Sequence, residues 1–108
     1  MIEGFAFGLL MLGVVSSTAV YAEGILAGAD LEYGESLAAD CVVCHNQNAA
    51  ERGVPNINGL SAEVFASTLT AYKTGEIDNP LKKMIASKLD AKQIASLAVY
   101  FASLPKSK

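Results

Sequence analysis

Apolar and polar positions divide the chain into one unbroken apolar run and several stripes at helical spacing. The run, Phe5 to Val15 (FAFGLLMLGVV), carries no charge. Ser16, Ser17 and Thr18 follow, then Val20-Tyr21-Ala22. A short apolar core followed by a small-residue exit is the layout of a secretory signal. Residues 1–22 are therefore expected to be a cleaved signal peptide, and residues 23–108 the mature domain. Met1-Ile2-Glu3-Gly4 lacks the Lys or Arg that usually opens such a signal. Phe5–Ala22 is also 18 residues long, near the lower limit of about 17 for spanning a bilayer. A retained membrane anchor and a buried core segment are the alternatives.

Beyond the run the period is helical. Ala27 to Cys44 reads as a first helix, with Leu31, Leu37 and Ala38 on its apolar face and Gly34 allowing a close crossing. Asn46 to Gly59 is polar, contains Gly53, Pro55 and Gly59, and reads as a loop. A second helix is expected from Ala62 to Thr74, opened by Ser61 and closed by Gly75, with Phe65, Leu69 and Tyr72 on one face. Glu76 to Pro80 reads as another loop. Asp90 and Gln93 form a capping box before a last helix, in which Ile94, Leu97, Ala98 and Phe101 repeat at i, i+3, i+4 and i+7. Pro105 stops it, and residues 106–108 read as a solvated tail. No segment alternates as a sheet strand does, so the expected fold class is all-α.

Composition narrows the function classes. The 108 residues are 52% hydrophobic but only 7% aromatic. At 18%, charged residues fall below the roughly 25% of ordinary soluble domains. That balance argues against disorder. A formal net charge of -3 provides no broad basic field, so no nucleic-acid partner is expected. Much of the apolar excess lies before residue 23. The remaining domain is small, and small exported domains often need a disulfide, a metal or a cofactor to complete a core.

Both cysteines and the only histidine stand in one pentapeptide, Cys41-Val42-Val43-Cys44-His45. A disulfide between Cys41 and Cys44 closes a tiny loop and constrains little chain. A thiol redox pair belongs between a strand and a helix, and no such strand is apparent. Structural zinc takes four protein ligands, more than two cysteines and one histidine provide. Covalent attachment of a c-type haem uses this spacing: two thiols add to two vinyl groups, and the adjacent imidazole reaches the iron. One covalent haem c is the expected cofactor, and the protein without it is expected to be largely unfolded.

With one histidine in the chain, a bis-histidine iron is ruled out. Methionine is a soft, neutral ligand that favours ferrous iron. Met1 and Met11 fall in the expected signal, which leaves Met84 as the candidate for the second axial position. Core filling by Met84, an open sixth position, and ligation by Lys82 or Lys83 are the alternatives. A backbone carbonyl near Pro55 is placed to accept the Nδ1 proton of His45 and fix its tautomer, although Pro55 also suits a simple turn.

With these residues in place, the chain resembles a class I c-type cytochrome of the small bacterial periplasmic type, over nearly all of residues 30 to 104. The resemblance rests on Cys41-Val42-Val43-Cys44-His45, on Pro55-Asn56-Ile57-Asn58-Gly59-Leu60, on Met84 within PLKKMIASKLDAKQI, and on Leu97-Ala98-Val99-Tyr100-Phe101 in the last helix. It implies three to five helices around the haem, with Leu97 and Tyr100 packed against the first helix and the haem edge. Asn46 follows the motif where the family often has glycine, and Ile85 follows Met84 where proline is common. Ala71-Tyr72-Lys73-Thr74-Gly75-Glu76-Ile77 is similar to a segment of the haem subunit of sulfide dehydrogenase flavocytochromes and of bacterial di-haem cytochromes.

The resemblance implies a periplasmic one-electron carrier with His45 and Met84 on the iron, not itself an enzyme and binding no organic substrate. Its partners are redox proteins, and Lys82, Lys83 and Lys88 are candidates for a docking patch. One alternative is an electron-accepting subunit held against a flavoprotein sulfide dehydrogenase. Another is a haem sensor or peroxidase with an open sixth position. Membrane association is expected only if the N-terminal segment is retained.

Overall fold

The computed structural model describes residues 24–46, 51, 53 and 55–106. The expected signal, residues 1–22, lies outside them. Among the described residues there are helices and turns but no strand, as the all-α expectation requires.

A short 3-10 turn, Gly24–Leu26, precedes α1 (Leu31–Leu37). The first helix therefore does not begin at Ala27. Gly28 takes φ +77°, outside the helical region. The extended Asp30 then caps α1, its carboxylate accepting the Tyr33 N–H at 3.1 Å. Ala38 separates α1 from α2 (Ala39–Val42). The buried face of this unit also differs from the expectation. Leu31 is half exposed, whereas Gly34 and Ala38 are buried and Leu37 packs on the core from its margin.

Helix α3 (Ala62–Thr74) has the expected bounds. Ser61 Oγ accepts the Val64 N–H at 3.3 Å, and Gly75 ends the helix at φ +87°, a left-handed conformation that favours glycine. Helix α4 (Pro80–Ala86) is a correction to the loop reading around residue 80: Asn79 caps it, and Pro80 occupies its first turn. Helix α5 (Ala91–Ala102) has the reciprocal capping box. The Gln93 N–H donates to Asp90 Oδ1 at 2.8 Å, and the Asp90 N–H donates to Gln93 Oε1 at 2.9 Å. Asp90→Ala is expected to lower stability by about 1 kcal/mol, read as a lower urea midpoint with an unchanged slope.

The core forms where α1 and α3 pack on α5. Ile94, Leu97, Ala98 and Phe101 are all buried, and the Phe65 and Phe101 rings stack at 5.4 Å between centroids. At the α1–α5 crossing the two backbones touch. A Cβ on Gly34 would lie 2.0 Å from the Ser96 carbonyl oxygen and 2.8 Å from Tyr100 Cβ. The Asp30 N–H donates to the fully buried Ser96 Oγ at 3.0 Å, so the hydroxyl is not left unpaired by this close approach. Gln93 Nε2 donates to Tyr33 Oη at 3.0 Å on the rim of the crossing. This junction holds α1 and, through it, the pentapeptide that begins in α2.

Candidate haem site

The pentapeptide starts in the last turns of helix and leaves in a tight turn. The Cys41 N–H donates to the Ala38 carbonyl at 2.9 Å, and the His45 N–H donates to the Cys41 carbonyl at 2.9 Å. Asn46 stands where the resemblance leads one to expect glycine, and it closes the turn. Its Nδ2 donates to the carbonyls of Val43 at 3.1 Å and Val42 at 3.3 Å. These carbonyls lie at the end of α2, where intrahelical partners run out.

No disulfide joins the two cysteines, of which Cys41 is partly buried and Cys44 exposed. Burial pushes the Cys41 thiol pKa up, and the neighbouring Asp40 charge adds to the rise against an opposing influence from Lys82. A redox-active pair instead relies on a thiolate made easy to form. Among the described residues, no group of three or more His, Cys, Asp or Glu side chains gathers to hold a bare metal ion.

His45 is fixed at both ring nitrogens. Nδ1 lies 2.8 Å from the Pro55 carbonyl oxygen, and Nε2 lies 3.1 Å from Lys82 Nζ on α4. The pKa of the imidazole is lowered, first by burial and further by the Lys82 charge, while the bond to the Pro55 carbonyl works in the opposite direction. The neutral ring thus donates from Nδ1 and keeps its lone pair on Nε2, the form in which histidine binds a metal.

The structure brings His45, Pro55 and Lys82 together. Met84 sits on α4 two residues beyond Lys82 and is 56% exposed. Tyr100 lies on α5 with its Cβ facing Gly34 of α1, and its ring meets Phe101 edge-on at 5.2 Å. The Lys82–His45 contact is a feature of the site that periodicity does not reveal. In the sequence Lys82 is one of several surface lysines, and no local pattern states that α4 stands across from the motif.

Exposed apolar side chains occur on both elements that meet at His45: Val42 and Val43 in the motif, and Leu81, Met84 and Ile85 on α4. Two cysteines at attachment spacing and a neutral imidazole oriented by the Pro55 carbonyl fit haem c. Cys41, Cys44 and His45 form the attachment motif for one covalently bound haem c. A small all-helical domain carrying this motif has the architecture of a class I c-type cytochrome.

Comparison with known proteins adds one relative. Over 73 residues, 65% of this chain, the sequence is 30% identical to the thiosulfate dehydrogenase electron acceptor of Thiomonas intermedia (strain K12). The match spans only 34% of that relative's length. No protein-family profile matches the chain. Among the described residues, no helix is long and apolar enough to cross a membrane.

Proposed function

We propose that this protein carries single electrons through its haem c, in the periplasm, after removal of residues 1–22. The observation that supports this most is the arrangement of His45, with Nδ1 at the Pro55 carbonyl and Nε2 turned toward α4. When bound, the haem supplies a ferric/ferrous couple. Cys41 and Cys44 tether it, His45 ligates its iron, and the Pro55 carbonyl orients the imidazole and raises its donor strength. The exposed apolar side chains of the motif turn and of α4 would supply cover against water for the group.

Met84 is the proposed sixth ligand. It lies on the helix that adjoins His45, and its thioether is exposed rather than committed to the core. Tyr100 is proposed to pack at the haem edge. The sulfur ligand favours the ferrous form and keeps the iron closed to small ligands, as suits a carrier rather than a sensor or peroxidase. In the ferric holoprotein we expect the weak long-wavelength sulfur-to-iron charge-transfer band, lost in Met84→Ala and kept in Lys82→Ala. A lysine-ligated iron, for which Lys82 would have to give up its 3.1 Å hydrogen bond to His45 Nε2, gives a wild-type spectrum without the band that changes in Lys82→Ala alone. An open iron gives a spectrum insensitive to both substitutions.

The electron donor is proposed to be a dehydrogenase acting on an inorganic sulfur compound. The similarity to a thiosulfate dehydrogenase electron acceptor supports this class of donor. A flavoprotein sulfide dehydrogenase is the particular partner that the segment Ala71 to Ile77 suggests. Lys82, Lys83 and Lys88 carry no acidic neighbour between residues 79 and 88, which supports a local basic docking edge on a chain of net negative charge.

A further inference from the structure

Helix α4 has little apolar hold on the rest of the domain. Leu81, Met84 and Ile85 are exposed, and Ala86 is its buried residue. A helix of seven residues is too short to be stable alone, so its position depends on its tethers. At its leading end, the Ile77 N–H donates to the Ala71 carbonyl at 3.1 Å, and Asn79 caps the first turn. At its trailing end the chain turns through residues 87–90 into α5. There Lys73, in the last turn of α3, reaches across and donates from Nζ to the Leu89 carbonyl. That hydrogen bond is partly buried and joins residues 16 apart in sequence. Leu89 also packs on the core margin, so the bond ties the end of α4 to two fixed bodies at once.

The geometry points to Lys73 as a positioning residue for the sixth-ligand helix: its ammonium pins the Leu89 carbonyl and so fixes where α4 presents Met84. The inference rests on the reading of Met84 as the axial ligand. Lys73 does not touch the haem. It acts by restricting the motion of α4 that any opening of the sulfur–iron bond requires. A partly buried, charge-assisted hydrogen bond is strong enough to shift that opening equilibrium measurably.

The test is titration of the ferric holoprotein with imidazole, which competes with Met84 for the sixth position. In Lys73→Met, which keeps a long unbranched side chain but removes the donor, imidazole is expected to bind about tenfold more tightly, equivalent to about 1.4 kcal/mol. The sulfur-to-iron band is expected to weaken in parallel, and Lys73→Arg, which restores a donor, is expected to bring both back toward wild type. If Lys73→Met yields no holoprotein, Lys73→Leu provides the same comparison with a shorter side chain that also lacks a donor. A purely structural role lowers the unfolding midpoint but leaves imidazole affinity unchanged, and that result overturns the proposal. So does an increase in affinity that Lys73→Arg does not reverse. A wild-type protein without the band, or one in which Met84→Ala leaves it intact, overturns the Met84 assignment first and this inference with it. A wild type with the band, lost in Met84→Ala, and an unaltered Lys73→Met overturns this inference alone.

Discussion

Gly34→Ala is expected to destabilise the holoprotein by about 3 kcal/mol or more, enough to remove a large part of the stability of a domain this size. Helix propensity alone predicts the opposite sign, because alanine is better than glycine in a helix by about 1 kcal/mol. The added methyl group would meet the Ser96 carbonyl oxygen at 2.0 Å, with Ser96 C at 2.6 Å and Tyr100 Cβ at 2.8 Å behind it. Two of these three atoms are backbone, so a side-chain rotation cannot relieve the clash. Separating α1 from α5 would also stretch the Asp30–Ser96 hydrogen bond and move the helix that leads into Cys41. Urea unfolding of the variant, with Glu32→Ala on the exposed side of α1 as a control, measures the effect. Stability equal to that of the wild type would show that the crossing can relax and that the backbone contact is not a constraint.

The second large effect concerns the haem tethers. Cys41→Ser/Cys44→Ser is expected to lose most native helicity and to melt without a cooperative transition. The protein part of the core is lean. Among the described residues, five of the eleven buried hydrophobic ones are alanine, and the fully buried large apolar side chains are Phe101 and Leu97. Helices of four to thirteen residues need tertiary packing to persist. With the apolar side chains of Val43, Leu81, Met84 and Ile85 uncovered, the hydrophobic driving force falls short of the conformational entropy it must offset. Circular dichroism of the variant beside the holoprotein decides the matter. Native helicity with a cooperative melt in the variant would mean that the polypeptide completes its own core.

Much of the architecture is local enough to be visible in the sequence. Ser61 and Gly75 bracket α3, and Asp90 with Gln93 opens α5, because capping is decided within three or four residues. The stripe of Ile94, Leu97, Ala98 and Phe101 identifies the core face of α5 for the same reason. Local pattern misplaces the start of α1, where the Asp30 cap and the left-handed Gly28 outweigh the continuing apolar spacing. It also passes over α4. There Leu81, Met84 and Ile85 have helical spacing, but Asn79-Pro80 resembles a turn as much as a cap followed by a first-turn proline. The attachment motif is contiguous and therefore legible. The meeting of His45 with Lys82, 37 residues away, depends on how α4 packs and leaves no local trace.

The hydrogen bond between Asp30 and Ser96 spans 66 residues, and it belongs to the junction from which the core is built. Contacts of that separation close slowly, and none exists until the second partner has been synthesised. An elongating chain therefore has no partner for α1 until the α5 residues near 96 have emerged. Throughout that interval the pentapeptide belongs to an open chain, with both thiols within reach of whatever attaches the haem. Joining the first helix to the last orders events in time: on the expectation that the haem-free chain has no stable fold, the chain stays open until the motif is modified, and α1 closes on α5 afterwards.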